Sequence, residues 1–413
     1  MTHALHHAWQ DAWLLEGART PFSDLGGPLA QVSPIDLGIH AARAALERAG
    51  VAGEEVGYVV AGSVAQASFD AYMLPRHIGL YAGVPVEVPA LLVQRVCGTG
   101  IEALAQAADA VDRRGAGFAL AAGAESMSRN PICAYTHRGG FGLGAPVEFK
   151  DFLWEALLDP GCGLTMGGTA EELARRHQIS RAEVDAYASR SFARALAARE
   201  AGKLDEEIAP VTPATFAREG LQDRGIALPR KVETLDHDTH PRPSPVEQLA
   251  RIRPAFGGVQ TGGNSSAVVD GAAAAVVASG SAAGARPRLA RLVASAAVGC
   301  PPEIMGIGPV PAIRALLERT GLALDDIAVV EINEAFGAQV MACARELGLD
   351  EAKLNPNGGA IAIGHPLAAT GVRIALSCAR ELRRQGARYG IASACIGGGQ
   401  GIALLIENPD GRA

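Results

Sequence analysis

The chain has 413 residues, 48% of them apolar and only 5% aromatic, with 50 glycines and a formal net charge of -7. That length corresponds to two or three domains. The acidic balance argues against a general nucleic-acid binder, while a local basic pocket still allows an anionic substrate; no run of eighteen apolar residues exists to form a transmembrane helix.

Met1 to Gln10 lack the charged start and apolar core of a signal peptide. They read as a loose tail, with a metal site on His3, His6 and His7 as the other reading. Seven cysteines without a secretion signal fit reduced thiols in a cytoplasm-like compartment better than a disulfide framework.

From residue 36 the chain carries a unit that returns 271 residues later. The run Arg43-Ala44-Ala45-Leu46-Glu47-Arg48-Ala49-Gly50 aligns with Arg314-Ala315-Leu316-Leu317-Glu318-Arg319-Thr320-Gly321, with six of eight positions identical. Each run has apolar residues at helical spacing and stops at a glycine. Glu54-Glu55-Val56 and Asp325-Asp326-Ile327 then lead into the apolar strands Tyr58-Val59-Val60 and Val329-Val330. The same offset pairs Thr99-Gly100 with Thr370-Gly371 and Gly115 with Gly386. It predicts helices over 98–113 and 369–384, followed by buried strands at Phe118–Ala122 and Tyr389–Ala394.

Each copy therefore reads strand–helix–strand–helix–strand, an α/β unit with a largely parallel sheet covered on both faces. The first half spans 1–125 and is completed by about 265–284, an inserted cap fills 126–264, and the second half spans 285–413. In the insertion, Thr169-Ala170-Glu171-Glu172 and Ser180-Arg181-Ala182-Glu183 read as capping boxes. Residues 236–245, rich in Asp, His and Pro, read as loop.

Four motifs carry candidate chemistry. Val96-Cys97-Gly98-Thr99-Gly100 puts a cysteine at a helix start, where the dipole and free N–H groups favour thiolate; a small buried cysteine is the alternative. Glu331-Ile332-Asn333-Glu334-Ala335-Phe336 ends a repeat strand, where the first copy has the apolar Val60-Ala61-Gly62-Ser63-Val64-Ala65. Folding does not require that polar exchange, so it marks a site adapted for chemistry. Gly364-His365-Pro366 holds a histidine at a loop tip, suited to act as a base for a nucleophile. Cys395-Ile396-Gly397-Gly398-Gly399-Gln400-Gly401 sets a second cysteine beside exposed N–H groups, or is simply a glycine turn between two strands. Its spacing does not match the phosphate-binding fingerprints.

These motifs, in this order and spacing, resemble the thiolase family from Arg19-Thr20-Pro21-Phe22 to the C-terminal strand. The resemblance implies a duplicated αβαβα sandwich with an inserted loop domain. It implies that Cys97 carries the acyl group as a thioester and that His365 activates Cys97. With Asn333 acting through a water, His365 would also stabilise the thioester oxygen of the acyl-CoA. Cys395 would exchange a proton with the acetyl α-carbon, and the N–H groups of Cys97 and Gly397 would form a second oxyanion hole. Met166, Arg242, Ser266 and Phe336 match the coenzyme A pocket.

No metal and no tightly bound cofactor is implied; coenzyme A and acyl-CoA are the substrates, with no nucleic-acid or membrane partner, in a homodimer or homotetramer. Thr165 stands where many biosynthetic thiolases place His, Thr99 where Ser is commoner, and Asp70-Ala71-Tyr72 replaces a common Gly-Gln-Asn. Asn264-Ser265-Ser266 looks like the degradative branch. These departures favour a 3-ketoacyl-CoA thiolase over a dedicated acetoacetyl-CoA maker. The rivals are a ketoacyl-synthase-type condensing enzyme, which generally lacks a second cysteine such as Cys395, and a non-catalytic thiolase-like carrier of acyl-CoA or lipid.

Overall fold

A computed structural model describes residues 3–65, 70–135 and 137–412. Met1 and Thr2, the first residues of the expected tail, lie outside it. Eleven strands form the main sheet: β1 (Ala4–Ala8), β2 (Trp13–Arg19), β3 (Ser23–Asp24), β4 (Val56–Gly62), β5 (Ala90–Leu92), β6 (Phe118–Glu125), β7 (Val269–Ala278), β8 (Ala290–Gly299), β9 (Ile327–Ile332), β10 (Tyr389–Ile396) and β11 (Gln400–Glu407). Their order is β9-β10-β11-β8-β2-β7-β6-β4-β5, with β1 paired to β8 and β3 to β7.

The duplication is written into the backbone. In the first repeat β4 pairs in parallel with β6, Val59 opposite Leu120; in the second β9 pairs with β10, Val330 opposite Ile391. All four positions obey the 271-residue offset, and so do the irregularities at Val56/Tyr58 and Ile327/Val329. Helix α1 (Pro34–Ala49) begins at the Ser33 cap, whose hydroxyl accepts from the Ile35 N–H, and ends at Gly50 in the left-handed conformation. Its counterpart, Pro309–Thr320, ends in the same way at Gly321.

The expectation of a largely parallel sheet is corrected. Among the described strands of the main sheet, only β4–β5, β4–β6 and β9–β10 run parallel. The last strand of each repeat, β7 or β11, returns antiparallel beside β6 or β10 and closes the half on a third strand, β2 or β8. That return needs no helical crossover, so the strand–helix pattern could not show it. The two halves meet edge to edge through β2, at Leu14–Ala290 and Trp13–Arg291, and through β1, which pairs along β8.

Helix α2 (Leu74–Tyr81) joins α1 on the outer face of the first half; α1 lies on β2, β6 and β7. Helices α3 (Thr99–Arg113) and α8 (Leu367–Gln385) form the middle layer. Helix α8 touches β6 and β7 of one half and β9 and β10 of the other, while α6 (Pro309–Thr320) covers β8, β10 and β11 from outside. The layers therefore run α/β/α/β/α. The central pair packs backbone to backbone: a Cβ at Gly100 would stand 2.8 Å from the Gly371 Cα, and one at Gly371 2.3 Å from the Ile101 N. Gly100 and Gly371 are themselves repeat partners. Strand β7, Val-Asp-Gly-Ala-Ala-Ala-Ala-Val-Val-Ala, is buried along its whole length, its small side chains letting helices close on both faces.

Two local expectations also change. The amino-terminal segment is a strand rather than a tail, because β1 pairs with β8 from Ala4–Val298 to Ala8–Ala294. Asp109 fixes it, accepting from Trp9 Nε1 at 2.7 Å and lying 2.9 Å from His7 Nδ1. In the insertion, α4 (Met166–Arg176) is capped by Thr165, whose side chain accepts from the Gly168 N–H. Thr169 lies within the helix and bonds back to the Met166 carbonyl, so it caps nothing. Ser180 does cap α5 (Arg181–Glu200) in a reciprocal box with Glu183. Residues 236–245 are loop.

Candidate active site

Between β5 and α3 the chain makes a tight turn. Val96 adopts φ +44°, a left-handed conformation that β-branched residues rarely take. Thr99 holds it: its hydroxyl donates to the Val96 carbonyl at 2.6 Å and accepts from the Arg95 N–H at 2.8 Å. This geometry sets Cys97 one residue before Gly98, which caps α3. The backbone of Gly397 and of Cys97 itself lies near enough to the sulfur to favour its thiolate.

The thiolate expected from the helix start is not the resting state. Burial pushes the Cys97 thiol up to about 11, the backbone of those two residues offsets part of that, and the charge of Glu125 adds to it. Desolvation of an enclosed sulfur outweighs a helix end.

His365 stands before α8 with its backbone N–H donating to Ala267. Its Nδ1 lies 2.6 Å from the Thr370 hydroxyl and its Nε2 3.3 Å from the Asn333 amide nitrogen. With that amide donating, Nε2 is the unprotonated ring nitrogen. Burial, helped by the Arg373 charge, holds the imidazole down at about 3, so it is a neutral base at physiological pH. Asn333 follows β9 with its N–H on the Ser393 carbonyl, and its buried Oδ1 has no partner among the described residues.

Cys395 is fully buried near the end of β10, packed with Met166, Met305 and Ala335. Burial, and then the nearby Cys97, raise its thiol well above the ordinary range. Gly397 begins the turn to β11; a side chain there would meet the Met166 sulfur at 3.2 Å.

A cavity of about 320 Å³ ends on Cys97 and His365. Met166, Ser266 and Phe336 line it, as do Met127, Trp154, Leu157, Phe256, Met305 and Leu367. Trp154, Leu157, Met166 and Phe256 come from the insertion, so that element covers the site. Arg242 does not line the cavity: its guanidinium lies over the Phe192 ring, 5.4 Å from the centroid, and its Nη1 donates to the His240 carbonyl. Among the described residues no group of three His, Cys, Asp or Glu is placed to hold a metal ion.

Several supporting residues went unassigned in the sequence reading. Glu334 accepts from Tyr187 and Ser191 of α5, from Asn355 and from the Ile361 N–H, tying the insertion to the loop that precedes His365. Thr370 was legible, since it is the repeat partner of Thr99. Buried behind His365, Glu331 lies 3.8 Å from Arg373, and burial raises its carboxyl to about 8.

Two thiols and one neutral histidine, held between duplicated halves, suit acyl transfer through a thioester. Family models described as the N-terminal and C-terminal domains of thiolase match residues 13–281 and 286–408, and the chain belongs to the thiolase family of acyltransferases. It is 45% identical over 401 residues to the mitochondrial 3-ketoacyl-CoA thiolase of Bos taurus, covering 96% of this chain and 98% of that one. To a beta-ketothiolase of Cupriavidus necator it is 41% identical over 402 residues, covering 95% and 98%. Its fold matches the crystal structure of the human mitochondrial 3-ketoacyl-CoA thiolase in complex with CoA, with a TM-score of 0.91 and 42% identity over 97% of this chain and 98% of that chain.

Proposed function

We propose that this thiolase works as a 3-ketoacyl-CoA thiolase on substrates with aliphatic chains longer than acetoacetyl. The observation that carries this reading is the almost wholly apolar cavity ending on Cys97, with Thr165 at its wall. The similarity to named 3-ketoacyl-CoA thiolases supports it.

In the degradative direction, His365 Nε2 takes the Cys97 proton as the sulfur attacks the 3-keto carbon. The bond between C2 and C3 then breaks, leaving the shortened acyl group on Cys97 and an acetyl-CoA enolate. The neutral base and the high-affinity thiol make free thiolate rare, so proton transfer accompanies attack. Cys395 protonates the enolate carbon. The Cys395 thiolate then takes the proton of the incoming coenzyme A thiol, whose sulfur attacks the acyl group; as Cys97 leaves, His365 returns its proton to that sulfur and acyl-CoA is released.

Two donor sets face the charges that develop. His365 Nε2–H, once protonated, and Asn333 face the thioester oxygen of the enolate; the N–H groups of Cys97 and Gly397 face the oxygen of the acyl-enzyme. Met166, Ser266 and Phe336 hold the pantetheine arm, and Arg242 is left for the nucleotide end. The seven free thiols fit a reducing compartment such as the cytoplasm. The test is kcat/KM for thiolysis from acetoacetyl-CoA to 3-ketodecanoyl-CoA. It should rise with chain length; activity confined to acetoacetyl-CoA would overturn the reading.

A further inference from the structure

The offset between the repeats also shows where they diverged. Cys97 matches Ala368, Gly397 matches Ser126, and Ile396 matches Glu125, since β6 and β10 span equivalent positions. Near Cys97 the second repeat has an apolar strand end, and the backbone of Cys97 and Gly397 lies near the sulfur. At the matching place in the first repeat the protein supplies an anion of its own. Glu125 is 1% exposed. One of its oxygens accepts from the Ser63 hydroxyl at 3.1 Å and the Ala65 N–H at 3.0 Å; the other accepts from the Val64 N–H at 3.0 Å and the Ala368 N–H at 3.2 Å.

This contact has a mechanical meaning. Helix α8 starts at Leu367, and its cap residue, Pro366, offers no side-chain acceptor. Its first N–H groups have no partner inside the helix. The helix start also lies directly on β6, since a Cβ at Gly123 would fall 2.0 Å from the Ala368 oxygen. Glu125 is thus the acceptor for a buried helix end, and an anion there is favoured by the helix dipole. Its other bonds fasten that end to the segment after β4. His365 lies three residues before Ala368, and Thr370, which orients His365, two residues after it.

We infer that Glu125 is a positioning residue: an internal carboxylate that accepts from the Ala368 N–H, the repeat counterpart of the Cys97 N–H, and so fixes the start of α8, with His365 and Thr370, over Cys97. This rests on the reading of Cys97 and Gly397 as oxyanion donors. Its charge also faces Cys97 and favours the protonated thiol.

The experiment measures thiolysis by Glu125→Ala and Glu125→Gln, with sodium formate as the missing carboxylate and formamide as its neutral counterpart. A shift of the His365 loop by about 1 Å costs roughly 10²-fold. Glu125→Ala should therefore lose kcat on that order with little change in KM for coenzyme A. Formate should restore at least about tenfold and formamide should not, in keeping with the preference of a helix N-terminus for an anion. Near-normal turnover in Glu125→Ala, or equal rescue by formamide, overturns the inference. Should Glu125→Ala fail to fold, Glu125→Gln keeps the shape but points an amide N–H₂ at donors; normal turnover there is equally fatal. A second readout is independent of turnover: the pH midpoint for alkylation of Cys97 should fall in Glu125→Gln, and an unchanged midpoint counts against the inference. A wild-type protein without thiolysis but with that midpoint shift would instead indict the functional reading.

Discussion

Gly100→Ala separates the catalytic consequence of the central helix crossing from its contribution to stability. The new Cβ would stand 2.6 Å from the Val372 N, 2.7 Å from the Ala368 oxygen and 2.8 Å from the Gly371 Cα. All three are backbone atoms of α8, so no rotamer change relieves the clash. Ordinary contacts between such atoms are about 3.5–4.0 Å, so the helices must part by about 1 Å. Overpacking of this kind costs about 1–3 kcal/mol, and replacing glycine by alanine within a helix returns up to about 1 kcal/mol. The net loss is small for a chain of this size, and Tm should fall by only a few degrees. The site should suffer far more, because α3 sets Cys97 and α8 sets His365; a 1 Å misplacement is worth roughly 10²-fold. Steady-state thiolysis of acetoacetyl-CoA, paired with thermal unfolding, reads both effects. Gly50→Ala is the control: Gly50 has φ +61° with nothing near its absent side chain, so this change strains a cap far from the site. Turnover within about threefold of wild type in Gly100→Ala, or an equal loss in Gly50→Ala, would refute the claim that this crossing sets the catalytic distance.

Other outcomes follow from the same geometry. With its thiol at about 11, Cys97 in the free enzyme is ionised about one part in 10⁴ at neutral pH. Its alkylation by iodoacetamide should climb steeply from pH 8 to pH 10; a plateau near pH 7 would mean a resting thiolate–imidazolium pair. Cys395→Ser should still accept an acetyl group at Cys97, detected by peptide mass spectrometry, yet lose roughly 10²–10⁴-fold in carbon–carbon cleavage. Near-normal thiolysis would remove Cys395 from the mechanism. Arg19 is wholly buried and donates to Asp238 at 2.6 and 2.9 Å and to Glu207 at 3.1 Å. Arg19→Met strands two buried carboxylates and should cost about 3–5 kcal/mol by urea unfolding; a loss under about 1 kcal/mol would show that water reaches them.

The repeat was legible because duplication left chain length intact between 36 and 122, so helix caps, glycine crossings and strand ends recur at one spacing. The site motifs were legible because Asn333, His365 and Cys395 interrupt apolar runs at element ends, where packing alone does not call for them. Sheet sense was not. The strand that makes the first half antiparallel, β7, lies beyond the whole insertion, and an alanine-rich run carries no mark of direction. Nor could sequence weigh burial against the helix end at Cys97, because proximity to an N-terminus is local whereas desolvation depends on every element packed around the sulfur. Sequence alone gave Glu125 no role, since its partners at 63–65 and 368 come together only after both halves close.

The two repeats finish their sheets by different routes, which bears on how the chain is made. In the second, β11 follows β10 through the short turn at Gly397–Gly399, so the closing strand emerges at once from the ribosome. In the first, β7 must slot between β2 and β6, and residues 126–268 are synthesised before it exists. Until then β2 and β6 present unpaired edges to the solvent, the kind of template on which strands of other chains add. Long-range closure of this sort is slow and exposed to aggregation. The amino-terminal half, although made first, is therefore the half whose sheet waits longest for its last strand, and nascent chains truncated before residue 269 should be the ones that depend on chaperones.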